Sequence, residues 1–404
     1  MVVRQREARW AAAVDVLRLV RTEPGITRTA LARQLDLSSG TATELVARLR
    51  DRRLLAEDPA PVTGRGRPTT ILHAHPDGPL LLVIDVRPSG WIAGVVRLDG
   101  TILRTLGGRS NRNAPETIAL LGRTVEGARA QLGDRLRLIS VAVSGTVAGT
   151  RVVQAGVLGW EDIDLGPIAG GLPLLVGNDA TLAAVAETAR GASRGARVGV
   201  HLLVDAGMGG ALTIDGRPLG GRSGEFGHLP FGDPRLRCTC GAYGCWETGL
   251  DGRAIARFLG EPIPEDSRAY TMEVLRRTDP SARGALGRVA AVLGRGTAGL
   301  VNAHDPDIVT LGGIAGPLRA ADPAAFAEAY LGSLMSFHRA DPPPVVDAAF
   351  GTDGGLQGAI DIGLTQLTTA EMLDAWTATN GRSAPADAYG AATVENTTVA
   401  SAQR

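Results

Sequence analysis

The stretch "GEFGHLPFGDPRLRCTCGAYGCWE", Gly224–Glu247, carries all three cysteines of a 404-residue chain within eight positions. An odd number argues against a disulfide framework, and the start "MVVRQREARWAAAVDVLRLV" is basic and then amphipathic, unlike a secretory signal. The expectation is a cytoplasmic protein with reduced thiols, where a thiol cluster points to a metal. Nine residues lie between His228 and Cys238-x-Cys240-x4-Cys245. One imidazole nitrogen and three sulfurs make a closed tetrahedral set for structural Zn2+, and the short, glycine-lined spacings let one loop wrap the ion. Three small buried hydrophobes beside a core histidine would explain the residue types. They would not explain why all three fall in one loop.

Outside that loop, nothing approaches the roughly 20 apolar residues that span a bilayer. The length implies two or three domains. Aromatic residues make up 4% against 44% hydrophobic, so the cores must be Leu, Val and Ala. The 54 glycines fall in short motifs with no collagen-like period, which predicts many tight strand-to-helix turns. All 42 basic residues are arginine, so no lysine can contact a phosphate. The net charge of zero hides an asymmetry: residues 1–75 hold 13 arginines against 8 acids, and the remainder 29 against 34. A basic N-terminal piece on an acidic body suits a nucleic-acid-binding arm.

"ITRTALARQLDLSSGTATELVARLRDRRLL" predicts two short helices, near Thr27–Leu35 and Ser39–Arg50, around a turn at Asp36-Leu37-Ser38. Thr27 and Ser38 are natural N-caps. Ala42, Leu45, Val46 and Leu49 form the buried stripe of the second helix. That pattern is a helix-turn-helix, whose second helix would present Ser39, Thr41, Thr43, Glu44 and Arg48 to double-stranded DNA. The strand, loop and strand of "LLAEDPAPVTGRGRPTTILHA" then read as a wing, with Arg65 and Arg67 at its tip. The turn position often held by glycine is Asp36, a residue that tolerates the left-handed conformation better than most.

From about Pro79 strands and helices alternate. "LLLVIDVRPSGWIAGVVRLDGTILR" predicts a three-stranded meander turning at Pro88-Ser89-Gly90 and Asp99-Gly100. A helix over Glu116–Gln131 and the buried strand "LRLISVAVSGTV" follow. "LPLLVGNDATLAAVAETARG" reads as strand into helix, "VGVHLLVDAGMGGALTIDG" as a strand pair around a glycine turn. Two such halves predict an α/β body with a cleft between them. With "GNDA", "GEFGH", the cysteine loop, "GCWE" and "LGGIAG" all present, the chain resembles the ROK family (repressors, open reading frames and sugar kinases) up to about Leu367. The N-terminal piece makes it similar to the family's xylose and N-acetylglucosamine repressors. The resemblance implies a winged helix-turn-helix over residues 1–75, followed by a two-lobed actin-like, ribonuclease H-like, ATPase-type fold with lobes at 79–190 and 191–367. Residues 368–404, rich in Ala, Thr, Ser and Asn, read as a disordered extension.

The resemblance also implies a sugar or sugar-phosphate site at Asn178, Asp179, Glu225, His228 and Glu247, with His228 serving both sugar and metal. Carboxylates and amides suit hydroxyls that both donate and accept. Asp179 takes the place of the family kinases' catalytic base. Those kinases carry Asp-x-Gly-Gly-Thr-Lys as a phosphate cradle, but here Asp85 is followed by Arg87, Pro88 and Gly90 at the two glycines and the lysine. Asp205 and Ala206 alter the second phosphate loop. An anion cradle built of glycine amides does not survive these changes. The expectation is therefore a non-enzymatic regulator acting as a homo-oligomer, dimer or tetramer, on an inverted-repeat operator. An active hexose kinase with an accessory DNA-binding domain is the alternative, and a scaffold answering to a protein partner is a third.

Overall fold

The structure, a computed structural model, describes residues 2–60, 70–109, 113–220 and 224–380. Helix α1 (Val2–Thr22) precedes the helix-turn-helix of α2 (Arg28–Gln34) and α3 (Ser39–Asp51), close to the expected ranges. Thr27 and Ser38 cap the two helices, their hydroxyls accepting from the amides of Ala30 and Thr41. Asp36 supplies the turn at φ 51. Strands β1 (Leu55–Pro59) and β2 (Thr70–Ala74) pair antiparallel as the wing. Residues 61–69, and with them Arg65 and Arg67, lie outside the described residues.

The first lobe begins with β3 (Leu80–Arg87), β4 (Gly90–Val96) and β5 (Ile102–Gly108), then α4 (Ala114–Leu132) and β6 (Leu136–Val143). A small sheet of β7 (Thr146–Ala148), β8 (Arg151–Ala155) and β9 (Trp160–Asp164) leads to β10 (Leu174–Asn178) and α5 (Asp179–Arg190). The main sheet has the order β10-β6-β3-β4-β5, with β3-β4-β5 antiparallel and β6 and β10 added in parallel. The second lobe repeats the plan. Strands β11 (Val198–Val204), β12 (Met208–Ile214) and β13 (Arg217–Pro218) form the meander. After α6 (Gly252–Leu259), α7 (Ser267–Val274) and α8 (Pro280–His304) comes β14 (Ile308–Gly313). Helices α9 (Ala315–Ala321), α10 (Pro323–Ser333) and α11 (Ser336–Ala340) then precede β15 (Val345–Asp347), giving the order β13-β12-β11-β14-β15. Two copies of one strand order, each opened by a hydrophobic meander, are the duplicated architecture expected of an actin-like body.

Two final helices depart from the expected domain plan. Helix α12 (Gly354–Leu367) follows the second lobe in sequence but buries Ala359, Ile360 and Leu364 in one cluster with Leu81, Val83 and Leu138 of the first. Gly358 permits its close approach to α5, since a Cβ there would lie 1.8 Å from the Leu182 carbonyl oxygen. Leu17 and Val20 of α1 belong to the same cluster, so the DNA-binding domain shares a core with the first lobe. Helix α13 (Ala370–Asn380) corrects the expectation of disorder beyond Leu367. Leu373 and Trp376, three residues apart on one helical face, are fully buried in that same cluster. The Trp376 indole donates to the Arg52 carbonyl at 2.8 Å, and the Trp10 indole donates to Asp374 at 2.7 Å. Two apolar positions in an Ala- and Thr-rich stretch are too few to reveal a helix without the partner they pack on. Residues 381–404 lie outside the described residues, among which no helix is long and apolar enough to cross a membrane.

Trp376→Ala is expected to cost about 3–5 kcal/mol of stability, the usual range for truncating a buried tryptophan. An unchanged urea midpoint would mean that α13 does not dock.

Candidate functional site

A cleft of about 850 Å³, including the part open to solvent, lies between the lobes. The β10–α5 junction contributes Asn178 and Asp179, the β6–β7 turn Ser144 to Thr146, and the β11–β12 turn Asp205 to Gly207. The loops after β13 contribute Glu225, His228, Cys240 and Glu247. All five residues expected to bind sugar therefore line one cavity.

Each side chain is held by a neighbour. Asn178 caps α5, accepting from the Thr181 amide at 2.9 Å while its amide donates to the Gly145 carbonyl at 3.0 Å. A capping role and a place on the cleft wall thus coexist in one residue. Asp179 accepts from the Ser144 hydroxyl at 2.5 Å and from the Ala180 amide at 2.8 Å. Burial pushes its carboxyl up to about 7, with the negative charges of Asp85 and Asp205 adding to the effect against the Ser144 hydrogen bond. Glu225 accepts from Thr146 Oγ1. Neither Ser144 nor Thr146 belongs to a motif, and only the folded β6–β7 turn reveals their roles.

His228 faces two ways. Its Nδ1 lies 3.6 Å from Cys238 Sγ and 3.8 Å from Glu247 Oε1, while Nε2 lies 3.6 Å from Glu225 Oε2. The ligand atoms of His228, Cys238, Cys240 and Cys245 all lie within 4.8 Å of one another. Cys240 and Cys245 sulfurs are 3.6 Å apart, close to the edge of a tetrahedron with bonds of about 2.3 Å, so the donor set fits Zn2+. Burial raises the Cys238 and Cys245 thiols. Unligated thiols packed this way resist ionisation, whereas metal coordination stabilises the thiolate.

Arginines occupy the neighbourhood of the two stretches expected to be altered phosphate loops. Asp85 is 1% exposed and accepts from Arg87 Nε at 2.8 Å, while Arg87 also reaches Asp353 at 3.3 Å. Burial raises the Asp85 carboxyl and the Arg87 charge opposes that rise. Across the cleft, Asp205 pairs with Arg268 Nε on α7. Sixty-three residues separate that pair, and nothing in the sequence announces it.

On the DNA-binding domain, Ser39, Thr41, Thr43, Glu44 and Arg48 are all exposed on α3, while Ala42, Leu45, Val46 and Leu49 are buried beneath. The two faces sort as the 3–4 spacing required.

Asp179 yields a pH test with a definite sign. A carboxyl raised from 3.8 to about 7 on folding makes the native state hold a proton that the unfolded chain has released. Stability therefore falls as pH rises through that window. Asp179→Asn removes the dependence, so the urea midpoint of the variant should gain on the parent between about pH 5 and about pH 8. A constant difference would place the Asp179 carboxyl near its ordinary value.

Known proteins extend this geometry. The model of the ROK family matches residues 84–366, and one of winged helix-turn-helix DNA-binding domains matches residues 14–55. A glucokinase of Streptomyces coelicolor is 27% identical over 317 residues, covering 70% of this chain and 97% of its own. A xylose repressor of Bacillus spizizenii is 23% identical over 303 residues, covering 71% and 77%. Among solved structures, a ROK family transcriptional regulator homologous to the E. coli MLC protein superposes with a TM-score of 0.70. Its identity is 24%, over 91% of this chain and 98% of that one. A ROK family glucokinase from Streptomyces griseus, in complex with glucose and AMPPNP, has a TM-score of 0.61 at 25% identity, over 70% and 99%. The regulator's fold thus extends over more of this chain than the kinase's, and the family match takes in both lobes and every cleft residue. By that match the chain belongs to the ROK family, with a winged helix-turn-helix ahead of the family body.

Proposed function

We propose that this protein is a sugar-responsive DNA-binding transcriptional regulator, a repressor of carbohydrate uptake or metabolism genes, whose sugar-kinase-like body senses the effector without catalysis. One observation carries the reading: helix α5 begins at the cleft and ends on α12, which Arg21 of the DNA-binding domain also reaches. Asn178 and Asp179 open the helix. Arg190 closes it, donating to both Asp361 oxygens at 3.0–3.3 Å and to Gln357 on α12. Arg21 of α1 meets the same turn of α12 at the Asp361 carbonyl, 3.4 Å, and at Thr365, 3.5 Å. Sugar bound between the lobes shifts α5, and the shift passes through α12 to α1. An effector coupling of roughly 1–3 kcal/mol, 5- to 150-fold in operator affinity, is enough for a switch.

In this reading two winged domains of a homodimer, or pairs within a tetramer, sit on an inverted-repeat operator in the cytoplasm, with the exposed residues of α3 in the major groove. Arg65 and Arg67 would extend each wing to the backbone. Zn2+ would be held by His228, Cys238, Cys240 and Cys245, where it supplies a structural crosslink for the loop. His228 then offers its second ring nitrogen to a sugar hydroxyl, so that metal and sugar meet on one imidazole.

The phosphate seat supports the non-enzymatic half of the proposal. Arg87 covers Asp85, the carboxylate that in a kinase would face metal and nucleotide, and Pro88 has no amide to donate. The competing reading, an active hexose kinase with an accessory DNA-binding domain, rests on Asp179, whose value near 7 suits a general base. It requires ATP-dependent sugar phosphorylation that vanishes in Asp179→Asn. The regulator reading requires sugar-dependent release of operator DNA with no turnover of ATP.

The double substitution of Glu225→Ala and His228→Ala should abolish the effect of sugar on DNA binding in a gel-shift or anisotropy titration, with sugar-free operator affinity unchanged within about threefold. A response that persists would remove these residues from the pocket. Stripping the metal with a chelator should lower the thermal midpoint and weaken sugar binding together, with zinc content followed by elemental analysis. Loss of stability with unaltered sugar affinity would separate the metal from the pocket.

A further inference from the structure

The charged side chains that line the cleft, among the described residues, are Asp179, Asp205, Glu225, Glu247 and His228. Three of the four carboxylates already have a hydrogen-bonding partner that is not a cation: Ser144 for Asp179, Thr146 for Glu225 and the Cys238 thiol for Glu247. Asp205 differs. It follows β11 directly, its own amide donating to the Gly207 carbonyl at 2.8 Å, and it lines two spaces. On one side is the cleft. On the other is a compartment lined by Arg253, Ser267 and Arg268, with Pro88, Ala206 and Thr239 among the residues shared between them.

Both arginines of that second compartment already have carboxylate partners. Arg268 is paired with Asp205 itself, and Arg253 with the buried Asp251. Burial raises the Asp205 carboxyl, and the Arg268 charge opposes the rise. The approach from the cleft into this compartment is therefore guarded by an anion, and the cation behind it is engaged.

We propose that the Asp205–Arg268 pair sets the chemical class of the effector: the cleft takes an unphosphorylated sugar and rejects its phosphate esters. This inference rests on the sugar-sensing reading of the same cleft. A phosphate ester brings about two negative charges at neutral pH and needs donors or cations to replace its water. Directed toward the β11–β12 turn, it meets Asp205 and the amide-less Pro88. Directed toward the loops after β13, it meets Glu225 and Glu247. A hydroxyl at either place meets an acceptor instead, which is what carboxylates offer a sugar. Asp205 thus acts by placing a charge where a phosphate would fall, and discrimination arises from repulsion as well as from attraction.

The test uses the full-length protein and isothermal titration calorimetry with glucose, N-acetylglucosamine and xylose, each beside its phosphate monoesters. The expected result is that at least one free sugar binds and its esters bind at least tenfold more weakly. Asp205→Asn removes the guarding charge and frees Arg268, so it should raise the ratio of ester affinity to parent-sugar affinity at least tenfold. Adding Arg268→Met to that variant should reverse the gain. An ester that binds the unsubstituted protein as tightly as its parent overturns the proposal, with no variant needed. So does an ester-to-sugar ratio unaltered by Asp205→Asn. If neither sugars nor esters bind at all, the sugar-sensing reading falls, and this inference with it.

Discussion

The carboxylate of Asp361 is the point on which the assembly of this protein turns. It is 2% exposed, on a helix packed between α5 and the first lobe's sheet. Burial drives its carboxyl upward, and Arg190 opposes this with two-pronged hydrogen bonds. A buried ion pair of this kind adds little net stability, because desolvation offsets most of the attraction. Removal of one partner is nonetheless severe, since it strands a charge out of water. The pair therefore acts as a registration device: α12 can dock only where the end of α5 meets it. Arg21, itself partly desolvated, approaches the same turn from the DNA-binding domain. Three segments distant in sequence are committed to one arrangement by one acid.

A chain without lysine meets several of its buried and half-buried acids with arginine. Asp85 has Arg87, Asp205 has Arg268, Asp251 has Arg253, and Asp361 has Arg190. Guanidinium groups suit this because they stay charged and present several donors in one plane. Asp85 and Asp205, at the two stretches expected to be altered phosphate loops, are each paired with an arginine from within the chain. The other cleft acids, Asp179, Glu225 and Glu247, are arranged otherwise, held by hydroxyls and a thiol.

The cysteine loop connects these two themes. Gly227 lies so close to β12 that a Cβ would fall 2.4 Å from the Met208 carbonyl oxygen. The "GEFGH" turn is thereby fastened to the second lobe's sheet just before His228 enters the cleft. The histidine stands between a sulfur cluster and a carboxylate, one nitrogen toward each. That position makes order in the loop a condition of order in the pocket.

Local chemistry was legible from residues alone. The capped helices of the DNA-binding domain, the meanders and the cysteine–histidine cluster rest on short-range spacing and side-chain type, which act over a few positions and need no knowledge of the fold, whereas the five cleft residues were implied by the family resemblance that "GNDA", "GEFGH" and "GCWE" carry. Their gathering into one cavity, the return of α12 to the first lobe, the docked α13 in place of a loose tail, and the partners Ser144, Thr146, Arg190 and Arg268 were decided only by tertiary structure. Each of those depends on contacts between residues far apart in the chain. A pattern such as Leu373 and Trp376 is ambiguous until the surface that buries it exists, and an arginine has no stated partner until folding brings a carboxylate within reach.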